Sequence, residues 1–236
     1  MAEEFEGRDM SGAMFWGVDL RGARFRDVDL TDVAISHARV VDVDIDGLVE
    51  RITINGVDVT DFVNERDRWH PLRGMLRPAD LEGMRAAWRA LEEAWAALID
   101  RAQDRPEAKL HESVGGEWSF VETLRHLVVA MDKWFTVPIL GEGFDPMGMP
   151  NSGSVDFGWP GLDKDANPTL AEALAVRADR SVRLREHLDA LTPADLTGEV
   201  VVLENGTVPV AECYFTVFEE EFEHLRYAER DLSLLS

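Results

Sequence analysis

The stretch FEEEFEHLRYAERDL, Phe218–Leu232, decides how the larger part of the chain folds. Val217, Phe218, Leu225, Ala228 and Leu232 recur at helical spacing. With about 100° per residue, the apolar centre of this helix falls near Tyr214 and Leu232. Glu221 lies close to that centre. His224 lies just to one side, and Glu220 further to the same side. Glu220 and His224 are four residues apart, so their side chains stack on one face. Burying a carboxylate beside an imidazole is costly unless a partner neutralises it. That partner is either a basic side chain or a metal ion. A Glu-x-x-x-His pair supplies two metal ligands, and a third would have to come from another helix, as in bundle metal centres.

Three more helical patterns precede it. PADLEGMRAAWRALEEAWAALIDRAQD (78–104) places Leu81, Met84, Trp88, Leu91, Trp95 and Leu98 at spacings of three and four. SFVETLRHLVVAMDKWFTVPIL (119–140) opens with Ser119 and has Glu122 three residues on, the signature of a capping box. NPTLAEALAVRADRSVRLREHLDAL (167–191) carries Leu170, Leu174, Val182, Leu184 and Leu188. The last helix is predicted over 210–234. Four long amphipathic helices predict a four-helix bundle. GEVVVLENGTVPV (198–210) reads as a hairpin turning at Asn205-Gly206. The connection from Gly141 to Pro168 is long, rich in Gly, Pro and Asp, and holds Phe144, Phe157 and Trp159. It reads as an ordered surface crossover in preference to a substrate lid.

The N-terminal segment has a different beat. Phe5, Met10, Phe15, Leu20, Phe25, Leu30, Ile35, Val40 and Ile45 recur every fifth residue. Ala13, Val18, Ala23, Val28, Val33, Ala38 and Val43 stand two places before them. Neither a helix nor a strand has a period of five, whereas a square solenoid does. In it the large residues point inward and the small ones fill the corners. ERITINGVDVTDFV (50–63) follows, with an Asn55-Gly56 turn between β-branched runs, and reads as a closing hairpin. The segment resembles the pentapeptide-repeat family, as in GARFRDVDLTDV (22–33). The resemblance implies a short right-handed quadrilateral β-helix of about two coils. Such an array has too few neighbours to stand alone, so it is expected to dock on the rest of the chain. The expected domains are therefore 1–65, a pentapeptide-repeat β-helix with its hairpin, and 66–236, the bundle.

Bulk composition narrows the function. A formal charge of −22 over 236 residues excludes nucleic acid and anionic membranes as partners. One cysteine, Cys213, rules out an internal disulfide framework. It reads as a small buried hydrophobe and not as a nucleophile. The acidic start MAEEFEGRDM is no secretory signal, and a cytoplasmic protein is expected. Of the six histidines, His126 is the one inside an apolar helix pattern away from loops. It lies off the main stripe of Leu124, Leu127 and Met131, so periodicity alone does not make it a ligand. No Ser-His-Asp set, phosphate loop or catalytic acid or base stands out.

GEWSFVETLRHLV (116–128) together with EEEFEHLRYAERDL (219–232) resembles the DinB-like superfamily of metal-binding four-helix bundles. The likeness covers most of the chain from about Leu81. It is closest to the branch that contains mycothiol-dependent maleylpyruvate isomerase. The resemblance implies a fold class of a pentapeptide-repeat β-helix followed by a DinB-like bundle. Residue by residue it implies His126, Glu220 and His224 as metal ligands, with Glu221, Glu223 and Arg226 around them. Two imidazoles and one carboxylate suit Zn²⁺ or Ni²⁺, and three protein ligands leave a position open. Trp118 is expected as a core or capping aromatic ahead of a role at a cavity mouth. The activity implied is a metal-dependent thiol S-transferase or isomerase, using a low-molecular-weight thiol on an electrophilic small molecule. The alternative is a non-catalytic metal-binding or interaction protein that docks through its repeats. The sequence leaves the oligomeric state open in either case, a homodimer among the options.

Overall fold

The computed structural model describes residues 4–5, 7–25, 28–151, 158–163 and 165–235. Phe157 lies outside them. The chain divides into two compact units, Met1–Asp46 and Gly47–Ser236.

In the first unit the five-residue beat is written into the backbone. Gly7, Gly12, Gly17, Gly22, Asp32, His37 and Asp42 all take positive φ. At every tenth residue an aspartate closes a local turn: Asp9, Asp19 and Asp29 accept from the backbone N–H of Ser11, Arg21 and Thr31 at 2.8–3.1 Å. Behind each, a carbonyl accepts from the N–H three residues on, as in Met10 to Ala13 at 3.0 Å. The closed β-helix is not what the described residues form. No strand is assigned among those of residues 4–46. The nine large apolar residues stay exposed, from 39% at Met10 to 78% at Ile35. The cause is length, because a solenoid buries its interior only between stacked neighbours.

The second unit opens with the hairpin β1 (Thr53–Ile54) and β2 (Val57–Asp58), assigned from sequence to the N-terminal segment. Asn55 and Gly56 both have positive φ, 53° and 79°, as a two-residue primed turn requires. Two short helices follow, α1 (Thr60–Asn64) and α2 (His70–Arg73). Next come α3 (Leu81–Gln103), the short α4 (Glu107–Leu110) and α5 (Phe120–Met131), which runs on into a π turn at Asp132–Thr136. Helix α6 spans Leu170–Ala190 and α7 spans Val210–Leu234. Between these two lies the hairpin β3 (Glu199–Val202) and β4 (Gly206–Pro209). Its turn is Leu203–Asn205, and Gly206 is the first residue of β4, paired with Val202. The two-residue turn expected at Asn205-Gly206 is thus a three-residue turn that ends at Asn205.

Helix α5 starts where its capping box puts it. Ser119 N–H donates to Glu122 Oε2 at 2.8 Å, and Ser119 Oγ accepts from Glu122 N–H at 3.3 Å. The four long helices form a ring in the order α3, α6, α5, α7, each packed on its two neighbours. Two apolar clusters fill the ring. One gathers Trp88, Leu91, Phe135, Leu184, Tyr214 and Phe218; the other gathers Trp95, Leu98, Leu124, Leu127, Leu225 and Leu232.

Candidate metal centre

Helix α5 contributes one side chain to a polar site against α7. His126 is buried on α5, and Glu220 and His224 sit one turn apart on α7. Glu220 Oε2 lies 3.3 Å from His126 Nε2 and 3.2 Å from His224 Nε2. One ligand atom from each residue falls within 4.8 Å of the other two. The three residues named from sequence are therefore brought together. The spacing has chemical meaning. Donors bonded at about 2.0–2.1 Å in a tetrahedron stand about 3.3–3.4 Å apart, close to the two distances found.

The surroundings of His126 sharpen this. Its Nδ1 faces the carbonyl of Met149 at 3.3 Å, and a carbonyl only accepts, so Nδ1–H donates. Its Nε2 faces a carboxylate oxygen, a second acceptor. Both ring nitrogens of His126 thus face acceptors. Burial by itself would disfavour charge on Glu220. The hydrogen bonds and charges of His126 and His224 outweigh it and hold the carboxyl well below the usual carboxylate range. Glu220 keeps 32% of its side chain exposed.

Trp118 covers the site, which is more than the capping role expected of it. Its ring centre lies 4.5 Å from that of His126 and 5.7 Å from that of His224. Tyr227 meets the His224 ring edge-on at 6.0 Å. The one sequence signal for Trp118 is its place just before the Ser119 cap.

Glu221, the carboxylate nearest the apolar centre of α7, does not face the cluster. It forms a bidentate pair with Arg177 of α6, at 2.6 and 2.9 Å, with both side chains buried. The guanidinium lies 4.5 Å over the ring of Trp95, whose Nε1–H donates to the Glu221 carbonyl at 3.1 Å. The basic side chain considered as partner for a buried carboxylate thus occurs at Glu221, whereas Glu220 meets two imidazoles. The signal for Arg177 was its place on the apolar face of α6, in line with Leu170, Ala173, Leu184 and Leu188. Glu223 and Arg226 pair with each other at 2.9 Å. Cys213 is fully buried, and burial, with the Glu212 charge adding, pushes its thiol up to about 11. It is no nucleophile.

A family model described as the DinB superfamily matches residues 90–228. A second, for pentapeptide repeats, matches eight copies over residues 9–47. Comparison with curated proteins and with solved structures returned no match.

Proposed function

Since the chain belongs to the DinB superfamily, we propose that His126, Glu220 and His224 hold a divalent transition metal, Zn²⁺ or Ni²⁺, in an enzyme that uses a low-molecular-weight thiol. The substrate class is an electrophilic small molecule, and the reaction is S-transfer or thiol-assisted isomerisation in the cytoplasm. The observation that carries the metal is the convergence of three donors, Glu220 Oε2 lying 3.3 and 3.2 Å from the two imidazole Nε2 atoms, with both His126 nitrogens facing acceptors. Such a metal, when bound, lowers a thiol's pKa and holds it as thiolate.

The chain's own groups prepare that chemistry. The Met149 carbonyl holds a proton on His126 Nδ1 and so leaves Nε2 free to ligate. Trp118 shields both imidazoles from water on one side. Two neutral imidazoles and one carboxylate leave a net positive charge on a divalent site, which favours an anionic sulfur ligand in an otherwise acidic protein. The test is elemental analysis and Zn²⁺ and Ni²⁺ titration of the full chain. One equivalent should bind, and His126→Ala should abolish tight binding. Wild-type protein that takes up neither metal would refute the proposal. Turnover of a panel of electrophiles should then require both metal and thiol.

A second reading concerns the first unit. At roughly half exposure each, its nine large apolar side chains present on the order of 800–900 Å², about the ~800 Å² that each partner gives to a stable interface. Among the described residues, the exposed large apolar residues of the second unit are Leu48, Ile54, Val57, Phe62 and Val63 near its start, and Val182, Val201, Tyr227 and Leu234 on three separate elements. A second copy repeats the same five-residue beat. We infer that the first unit pairs with itself in a homodimer. Because each copy carries −22, added salt should tighten the association. Sedimentation should give twice the 26.5 kDa chain mass, and Phe15→Asp with Phe25→Asp should give the monomer with metal binding unchanged. A wild-type monomer at all salt concentrations, or a dimer that survives both substitutions, overturns the pairing.

A further inference from the structure

The long connection after α5 is anchored to the metal centre by its backbone. We propose that residues 145–149 form a strap that fixes the ring of His126, and that Gly148 and Arg180 are its positioning residues. This rests on the metal-centre reading above.

The strap is tied at both ends. At its start, Asp132 in the π turn is fully buried and accepts from Asp145 N–H at 2.7 Å. Arg180 of α6 bonds Asp132 Oδ1 through Nε at 2.9 Å and reaches Asp145 Oδ2 at 3.5 Å. Asp145 in turn accepts from Met147 N–H at 2.9 Å. At its end, the strap pairs with the middle of α5 at Arg125. Arg125 Nε–H donates to the Met147 carbonyl at 2.9 Å, and Met149 N–H donates to the Arg125 carbonyl at 3.1 Å. These bonds aim the Met149 carbonyl at His126 Nδ1. The π turn has a role here, since it carries the chain from α5 with Asp132 turned toward both Arg180 and Asp145.

Gly148 sets the height of the strap over α5. A Cβ at this position would lie 2.5 Å from Val129 Cγ2 and 3.2 Å from Leu162 Cδ2. Val129 is buried in the helix three residues beyond His126, so it cannot yield far. Alanine at 148 must therefore lift the strap, and with it the Met149 carbonyl. Gly143, two residues before the strap, has nothing within 4 Å of its Cβ position and serves as the control.

Histidine-ring nitrogen NMR and Zn²⁺ competition with a chromophoric chelator test this on the full chain. In metal-free and Zn²⁺-loaded wild type, His126 should show a hydrogen-bonded Nδ1 proton, identified by its loss in His126→Ala. In Gly148→Ala that proton should lose its bond, and Zn²⁺ affinity should fall about 10- to 100-fold. Gly143→Ala should stay within about twofold of wild type. Arg180→Met should weaken Zn²⁺ in the same direction, and Arg180→Lys should recover part of the loss. A Gly148→Ala protein with wild-type Zn²⁺ affinity and an unchanged Nδ1 signal overturns the strap. If wild type binds no metal, the metal reading fails, and the Nδ1 signal of the metal-free proteins still decides the strap. Should Gly148→Ala not fold, the Arg180 pair decides it on the same two readouts.

Discussion

Replacing Arg177 by methionine removes one half of an ion pair whose other half has nowhere to go. Glu221 is 2% exposed and Arg177 6%, and their two hydrogen bonds are 2.6 and 2.9 Å long. Water cannot replace the lost guanidinium. Breaking a buried pair by removing one partner costs about 3–5 kcal/mol. Loss of the guanidinium over Trp95 adds on the order of 1 kcal/mol. The unit of residues 47–236 loses about 2–4 °C of Tm per kcal/mol, so the expected fall is on the order of 10–20 °C. Arg177→Met with Glu221→Leu replaces both charges by apolar groups of similar size and should return to within about 1–2 kcal/mol of wild type. Urea unfolding followed by helical circular dichroism, on both single variants and the double, closes the cycle. A cost below about 1 kcal/mol for Arg177→Met, or a double variant as unstable as the sum of the singles, would show that the pair does not hold the core as argued.

Three further outcomes are expected. Cys213 in the folded protein should resist iodoacetamide at pH 8, and Cys213→Ala should keep metal binding; rapid alkylation without unfolding would refute its burial. Burial lowers the pKa of His187, which meets the Tyr214 hydroxyl at 3.0 Å, while the Asp195 charge pulls the other way. The unfolded chain then binds more protons below its ordinary value of 6.5, so this contribution is whole above that pH and is lost as pH falls; His187→Gln should flatten the drop in urea midpoint between about pH 7 and pH 5, and an unchanged slope would count against it. Ser119→Ala breaks the capping box of α5 and should cost about 1 kcal/mol, read from the same urea curves, with no loss expected if the cap is idle.

Much of this was written in local pattern. The helix boundaries followed from apolar spacing and from Ser119 with Glu122, because both signals act within one or two turns. Glu220 and His224 were visible as a pair for the same reason. His126 was not; its place on the wheel was indifferent, and family resemblance singled it out. The partners of the carboxylates were hidden because they come from other helices. Arg177 lies 44 residues before Glu221, and only packing brings it there. The strap was hidden more deeply, since its working atoms are backbone carbonyls and amides that every residue possesses. Gly148 in a Gly-rich connection looked like any flexible residue until Val129 stood against it. The five-residue beat was legible too, but a beat gives the turn of the chain and not what covers it.

The adjacent carboxylates Glu220 and Glu221 show how one helix can serve stability and chemistry together. They are about 100° apart on α7, so one turns into the ring and the other toward α5. The inner one meets a fixed cation: Arg177 stays charged at any ordinary pH and cannot leave. The outer one meets two imidazoles, and a neutral imidazole is a metal ligand. An arginine in place of His126 would neutralise Glu220 as well as it neutralises Glu221, and would leave no exchangeable position. The imidazole pair is the weaker structural partner. Its presence at the 32%-exposed carboxylate, one residue from a carboxylate served by arginine, is what supports the proposed metal site at this end of the pair.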